Sequence, residues 1–175
     1  VRPVDLRDAE TPRRLVAETQ PDVVVLCAAY RDPDWCEEHP GDARRLNVNS
    51  VQGFCEALPE DVPVLFISSD YVFDGLSPPY REDDPRRPVN FYGQTKLEAE
   101  DRVLQRAHGV VVRIPVLIGR RPPNGPPGFL DMMARDLHAP DEVKADDTLI
   151  RFPTSISDVA EAIAFLLSEN HRGVF

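Results

Sequence analysis

Val62-Pro-Val-Leu-Phe-Ile-Ser-Ser-Asp70 is an apolar, β-branched run that ends in two hydroxyls and a carboxylate. A continuous apolar segment of this length reads as a buried strand, and the polar tip marks its carboxyl end. In open α/β sheets ligands bind beyond that end, which makes Ser68, Ser69 and Asp70 candidates for contact with a ligand.

Working outward, Val23-Val-Val-Leu-Cys-Ala-Ala29 repeats the pattern after the turn at Pro21-Asp22, and reads as a parallel strand covered on both faces. Between the two strands, residues 42 to 58 place Leu46, Val48, Val51, Phe54, Cys55 and Leu58 near helical periodicity. Residues 9 to 20 also read as a helix, with Thr11-Pro12 as cap and first turn and Leu15 and Val16 turned inward. Past a loop from Asp74 to Pro88, a helix from Phe91 or Tyr92 to about Arg106 precedes Gly109-Val-Val-Val-Arg-Ile-Pro-Val-Leu-Ile-Gly119, a third buried strand. The alternation predicts an α/β fold, a doubly wound parallel sheet of the Rossmann-like kind. Residues 120 to 128 read as a loop or domain crossing, 136 to 147 as charged and weakly patterned, and 158 to 169 as an amphipathic helix capped by Asp158.

Both ends look cut. Val1-Arg-Pro-Val-Asp-Leu-Arg-Asp8 reads as the tail of a strand entering a helix, and Gly173-Val-Phe175 as a strand beginning. No G-x-G-x-x-G turn is present, so the expected phosphate-binding turn either precedes Val1 or is lacking. Residues 1–119 are therefore expected to form a dinucleotide-binding domain without its first strand and glycine turn. Residues 120–175 are expected to supply part of a small substrate-binding region plus a returning helix and strand.

The chemistry is concentrated in Tyr92 and Lys96. Four residues apart on a helix, they stack on one face. An ammonium beside a phenol favours the phenolate, so this spacing predicts a tyrosine lowered from about 10 towards the range of an acid/base catalyst. The chain has four tyrosines and two lysines, which makes chance pairing uncommon, although Y-x-x-x-K alone is a weak motif.

Composition excludes several classes. The formal net charge of −10 over 175 residues argues against a nucleic-acid or anionic-membrane surface. No run approaches the roughly 18 apolar residues of a membrane span. Cys27, Cys36 and Cys55 lack C-x-x-C spacing, with Cys27 inside the strand-like run, which suits a reduced, cytoplasmic chain. The four histidines lack metal-ligand spacing, and no metal is expected.

Together, Asp5-Leu-Arg-Asp8, Pro21-Asp-Val-Val-Val25, Cys27-Ala-Ala-Tyr30, Leu46-Asn-Val-Asn49, Ile67-Ser-Ser-Asp-Tyr-Val-Phe-Asp-Gly75, Asn90-Phe-Tyr-Gly-Gln-Thr-Lys-Leu-Glu-Ala-Glu100 and Arg113-Ile-Pro115 resemble the extended short-chain dehydrogenase/reductase family. Within it the chain resembles the dTDP-4-dehydrorhamnose reductase group. Pro78-Pro-Tyr-Arg-Glu-Asp83, Arg113-Ile-Pro-Val-Leu117 and Arg151-Phe-Pro-Thr154 also look like the regulatory beta subunits of methionine adenosyltransferase.

The first resemblance implies NADPH or NADH as cofactor and a nucleotide-linked deoxysugar as substrate, reduced at its 4-keto group. It implies Tyr92 as proton donor, Lys96 on the nicotinamide ribose and Ser69 on the carbonyl. Asp5, Leu6, Ala28, Ala29, Tyr30, Ser68 and Pro115 would line the cofactor, and Asp70, Val116 and Arg151 the substrate. The second implies a cofactor-binding subunit that associates with a partner enzyme, and a homodimer is also compatible. A nucleotide-sugar epimerase or dehydratase is a weaker reading. From the residues alone, Ser69 equally suits a local cap, Asn47 and Asn49 suit buried structural hydrogen-bonders, and Arg151 suits either a phosphate or a local carboxylate.

Overall fold

The computed structural model describes residues 3–119, 128–139, 142 and 150–175. Most of the segment read as a loop or domain crossing, 120 to 128, and of the weakly patterned segment, 136 to 147, lies outside the described residues. Four parallel strands, β1 (Val24–Leu26), β2 (Val64–Ser69), β3 (Gly109–Ile114) and β6 (Gly173–Val174), form a sheet in the order β1-β2-β3-β6. Period-two alternation divides their side chains between two layers of helices. On one face Leu26, Val64, Phe66 and Val111 pack against Val51, Phe54 and Leu58, and against Ala99 and Val103 of α5 (Phe91–Leu104). On the other, Leu65, Val110 and Val112 pack against Leu166 of α7 (Ile156–Ser168). The sheet is thus doubly wound, as its strand–helix alternation predicts.

The first helix, α1 (Thr11–Thr19), packs Leu15 and Val16 against the first of these clusters, but Thr11 opens its first turn and Glu10 is the cap. Pro33–Glu38 forms α2, which the sequence reading leaves without an element, capped by the Asp32 carboxylate on the Trp35 amide at 3.1 Å. The predicted helix over 42 to 58 is α3 (Pro40–Arg44), a π turn (Arg45–Asn49) and α4 (Ser50–Ala57) in succession. Asn47 is buried there, whereas Asn49 is exposed, because the widened turn carries it off the sheet-facing side.

Three further expectations are corrected. First, β1 is three residues long and ends at Leu26, short of the apolar run that extends to Ala29. Cys27 consequently lies past the strand and is exposed. Second, the run from Gly109 to Gly119 is not one strand. Pro115 has no amide proton to continue the ladder, and Leu117–Ile118 leaves as β4 to pair with β5 (Thr154–Ser155) in a separate parallel ribbon. Third, α7 starts two residues earlier than predicted, because the Ser155 hydroxyl accepts from the Ser157 amide at 3.2 Å and takes the capping position from Asp158. Phe129–Leu137 adds α6, and no helix among the described residues is long and apolar enough to cross a membrane.

Candidate functional site

The site forms where β2 ends. Ser69 is the last residue of the strand, and its hydroxyl caps the following 3-10 turn (Asp70–Val72), accepting from the Tyr71 amide at 3.3 Å. The same hydroxyl donates to Asp70 Oδ1 at 3.0 Å and lies near enough to the Tyr92 phenol to favour its ionised form. The local cap that the residues alone suggest for Ser69 is present.

Tyr92 is delivered by the start of α5. The Asn90 side chain caps the helix by accepting from the Gly93 amide at 2.8 Å, and Gly93 lets the first turn close on the Tyr71 segment. A β-carbon at Gly93 would stand 2.2 Å from the Tyr71 carbonyl oxygen, so the approach requires glycine. Tyr92 is 8% exposed and packs edge-on against Tyr71 at 5.5 Å.

Lys96 lies one turn on and is 4% exposed. Its ammonium donates to the Ile67 carbonyl at 2.6 Å and sits 4.2 Å from the centre of the Phe66 ring. Burial lowers this amine to about 8, opposed by the nearby Glu100 carboxylate. The phenol moves opposite to the expectation from spacing. Burial pushes Tyr92 up to about 12, opposed by the Ser69 hydroxyl. The shared helix face is present, but the ammonium is turned onto the β2 backbone.

Five of the residues expected to line a cofactor do line one space. Asp5, Leu6, Ala28, Ala29 and Tyr30, joined by Pro3, Val4, Arg7 and Leu46, surround a cleft of about 580 Å³. Asn47 fixes its floor: its side chain accepts from the Tyr30 amide at 2.8 Å and donates to the Tyr30 carbonyl at 3.0 Å and Thr95 Oγ1 at 3.1 Å. Arg7 grips Asp5 through Nε at 2.9 Å and Nη2 at 2.7 Å, which holds that carboxyl at about 2. Arg7 and Leu46 were not among the expected residues. Their signal in the sequence was a place in the same short segments as Asp5 and Asn47.

The remaining expected residues divide. Ser68 directs its hydroxyl to Glu100 at 2.5 Å, into the protein. Register pairs Ser69 with Ile114, so Pro115 and Val116 follow immediately beyond the site's edge. The Val116 carbonyl accepts from the Thr154 amide at 3.0 Å, tying this edge to β5. Arg151 is exposed, 6.0 Å from the centre of the Phe129 ring, and its charge reaches Asp70. Loss of solvation raises the Asp70 carboxyl, with Ser69 and Arg151 opposing. Among the described residues no group of three metal-ligating side chains occurs.

A buried cluster escaped sequence reading altogether. Glu100 is fully enclosed and accepts hydrogen bonds from Ser68, Arg113 and Arg86. Extending the Tyr92–Lys96 spacing by four more residues would have reached it.

Similarity to known proteins follows the same lines. The chain is 41% identical over 159 residues to methionine adenosyltransferase 2 subunit beta of Bos taurus, covering 90% of this chain and 48% of that protein. It is 32% identical over 181 residues to dTDP-4-dehydrorhamnose reductase of Sinorhizobium fredii, covering 98% of this chain and 60% of that one. The chain thus spans about half the length of the curated relatives it matches. The crystal structure of dTDP-4-dehydrorhamnose reductase from Bacillus anthracis in complex with NADP superposes with a TM-score of 0.87 at 26% identity, over 98% of this chain and 61% of that one. The family description RmlD substrate binding domain matches residues 1–175, and the chain belongs to that family.

Proposed function

We propose that the protein containing this chain is a NAD(P)H-dependent reductase of the 4-keto group of a nucleotide-linked deoxysugar, with Tyr92 as proton donor. The observation that carries the reading is the burial together of the Tyr92 phenol, Ser69 at a strand's carboxyl end and Lys96 one helical turn away. The cofactor fits the residues present. The cleft beside Ala28 and Ala29 has the size and the small-residue wall that suit the adenosine portion of a dinucleotide, and Asp5 offers acceptor oxygens beside it. The NADP complex of the Bacillus anthracis relative supports this choice.

When bound, the cofactor supplies the hydride. The chain supplies the proton and the electrostatics. Held at about 12, Tyr92 enters the reaction protonated, the form a donor to a carbonyl oxygen must have. Stabilising the phenolate left by that transfer requires the Ser69 hydroxyl to turn from Asp70 or the Lys96 ammonium to turn from the Ile67 carbonyl. Asp70 and Arg151, within electrostatic reach of one another at the site's edge, suit a substrate bearing hydroxyl and phosphate groups.

The test is cofactor oxidation by the full-length protein with a dTDP-4-dehydro-6-deoxysugar. Turnover should vanish in Tyr92→Phe, and wild-type turnover in that variant would refute the assignment. A second reading is favoured by the 41% identity to a subunit of methionine adenosyltransferase 2: a cofactor-binding subunit whose output is association with a partner enzyme. Stoichiometric co-purification of such a partner, with no keto-sugar turnover, would establish that reading instead.

A further inference from the structure

Glu100 is 0% exposed, on α5, one turn beyond Lys96 and two beyond Tyr92. A carboxylate without solvent survives only if every oxygen is paired. Here Oε1 accepts from Ser68 Oγ at 2.5 Å and Arg113 Nε at 3.0 Å, while Oε2 accepts from Arg113 Nη2 at 2.8 Å and Arg86 Nη1 at 3.1 Å. Those partners come from three places. Ser68 adjoins Ser69 at the end of β2, Arg113 lies at the end of β3 before Pro115 and Val116, and Arg86 belongs to the loop after β2. One carboxylate therefore joins the helix bearing Tyr92 to both strand ends that border the site.

The charges around it are unequal. Arg86 is also paired with Asp101 at 2.8 Å, and Arg113 spends Nη1 on the Glu82 carbonyl at 2.9 Å and lies over the Phe73 ring at 5.0 Å. Lys96 has no carboxylate in hydrogen-bond contact among the described residues. Around it stand the Phe66 ring and Ile67 carbonyl from β2, and the charges that reach it are those of Cys27, just past β1, and Glu100 from its own helix. Glu100 is the acidic side chain whose charge acts on that ammonium.

We propose that Glu100 is a positioning residue of the reduction site: it fastens α5 to the ends of β2 and β3 so that Tyr92 meets Ser69, and it is the buried counter-charge of the Lys96 ammonium. The inference rests on the reductase reading for its catalytic consequence, but its electrostatic half is measurable without turnover. A merely structural ion pair would stabilise the fold and leave the Lys96 titration untouched.

The experiment uses full-length protein labelled at lysine side-chain nitrogen, with the Lys96 resonance identified by its loss in Lys96→Gln. Wild type, Glu100→Gln and the double variant Glu100→Gln/Arg113→Met are titrated without cofactor. The double variant leaves no orphaned Arg113 and serves where the single one fails to melt cooperatively. The Lys96 midpoint should fall by about one pH unit in Glu100→Gln and by a smaller amount in the double variant, which also removes the Arg113 charge, and kcat for keto-sugar reduction should drop roughly tenfold or more. A midpoint unchanged in the folded variants would overturn the inference while leaving a turning-over wild type as a reductase. A lowered midpoint in a protein without keto-sugar turnover would uphold the counter-charge and refute the reductase reading.

Discussion

Replacing Lys96 with methionine should change how stability depends on pH in a defined window. The amine carries its ordinary value of 10.5 when unfolded and about 8 in the folded chain, where burial disfavours the charge. Below pH 8 both states are protonated and the folded state bears the full cost of a buried ammonium. Between pH 8 and 10.5 the folded protein has released the proton while the unfolded chain still holds it. The unfolded state then binds more protons, and stability rises with pH. A gap of 2.5 units corresponds to about 3 kcal/mol. Methionine keeps most of the apolar stem and cannot titrate, so Lys96→Met should lack this rise. Urea unfolding of the cofactor-free full-length protein and the variant, at half-unit intervals from pH 7 to 10.5, measures it. The difference between the two curves cancels titrations that both proteins share, including those of Cys36 and Cys55, which burial raises to about 11. Taken as wild type minus variant, it should climb by about 3 kcal/mol across the window. A flat difference would refute the assignment of a buried, destabilised ammonium at Lys96.

Other perturbations separate the remaining parts. Tyr92, raised from 10.0 to about 12, works in the opposite sense: between those values the unfolded chain ionises first, so stability falls with pH by about 3 kcal/mol, and Tyr92→Phe should abolish that part of the fall in a denaturation series carried on to pH 12. Asn47→Ala removes three hydrogen bonds and leaves the Tyr30 backbone without them, which should cost about 2–3 kcal/mol in urea unfolding and weaken dinucleotide binding measured by calorimetry. An unchanged stability would show that solvent replaces those bonds. Gly93→Ala must displace the Tyr71 carbonyl, so it should cost at least about 2 kcal/mol and depress turnover more than a surface Gly41→Ala, whose added methyl meets nothing within 4 Å.

How much was legible beforehand depended on whether local pattern or neighbours decided the outcome. The β2 run, bordered by helical periodicity on either side, defined the sheet because its strands are continuous apolar segments and its helices are amphipathic. At β1 the same composition misled. Val23 to Ala29 have the propensity of a longer strand, but the ladder with β2 takes in Val24–Leu26, and where a ladder stops propensity does not encode. At β3 the information was present and was overridden by reading Pro115 as tolerated inside a strand. A proline supplies no ladder donor, and there the chain leaves the main sheet for β5. The exchange of Asp158 for Ser155 as the α7 cap is a finer case, because both residues cap well and the choice follows from the pairing of Thr154 and Ser155 with β4.

In the candidate site, spacing specified which residues share a face and not how their charges interact. Tyr92 and Lys96 stand one turn apart, yet the ammonium is bound to the Ile67 carbonyl and the Phe66 ring. Desolvation then moves both groups towards neutrality, the phenol upward and the amine downward, which a Coulomb argument from spacing alone reverses. The missing quantity was burial, set jointly by β2 and by the helices packed around α5. The same quantity accounts for Glu100. On an isolated helix it would be one more acidic residue among Glu98 and Asp101. Enclosed by Ser68, Arg86 and Arg113, it becomes a fixed negative charge at the next position of the face that carries the tyrosine and lysine. A periodicity of four that continues from an acid through a base to a second acid therefore describes an electrostatic unit only once all three are withdrawn from water.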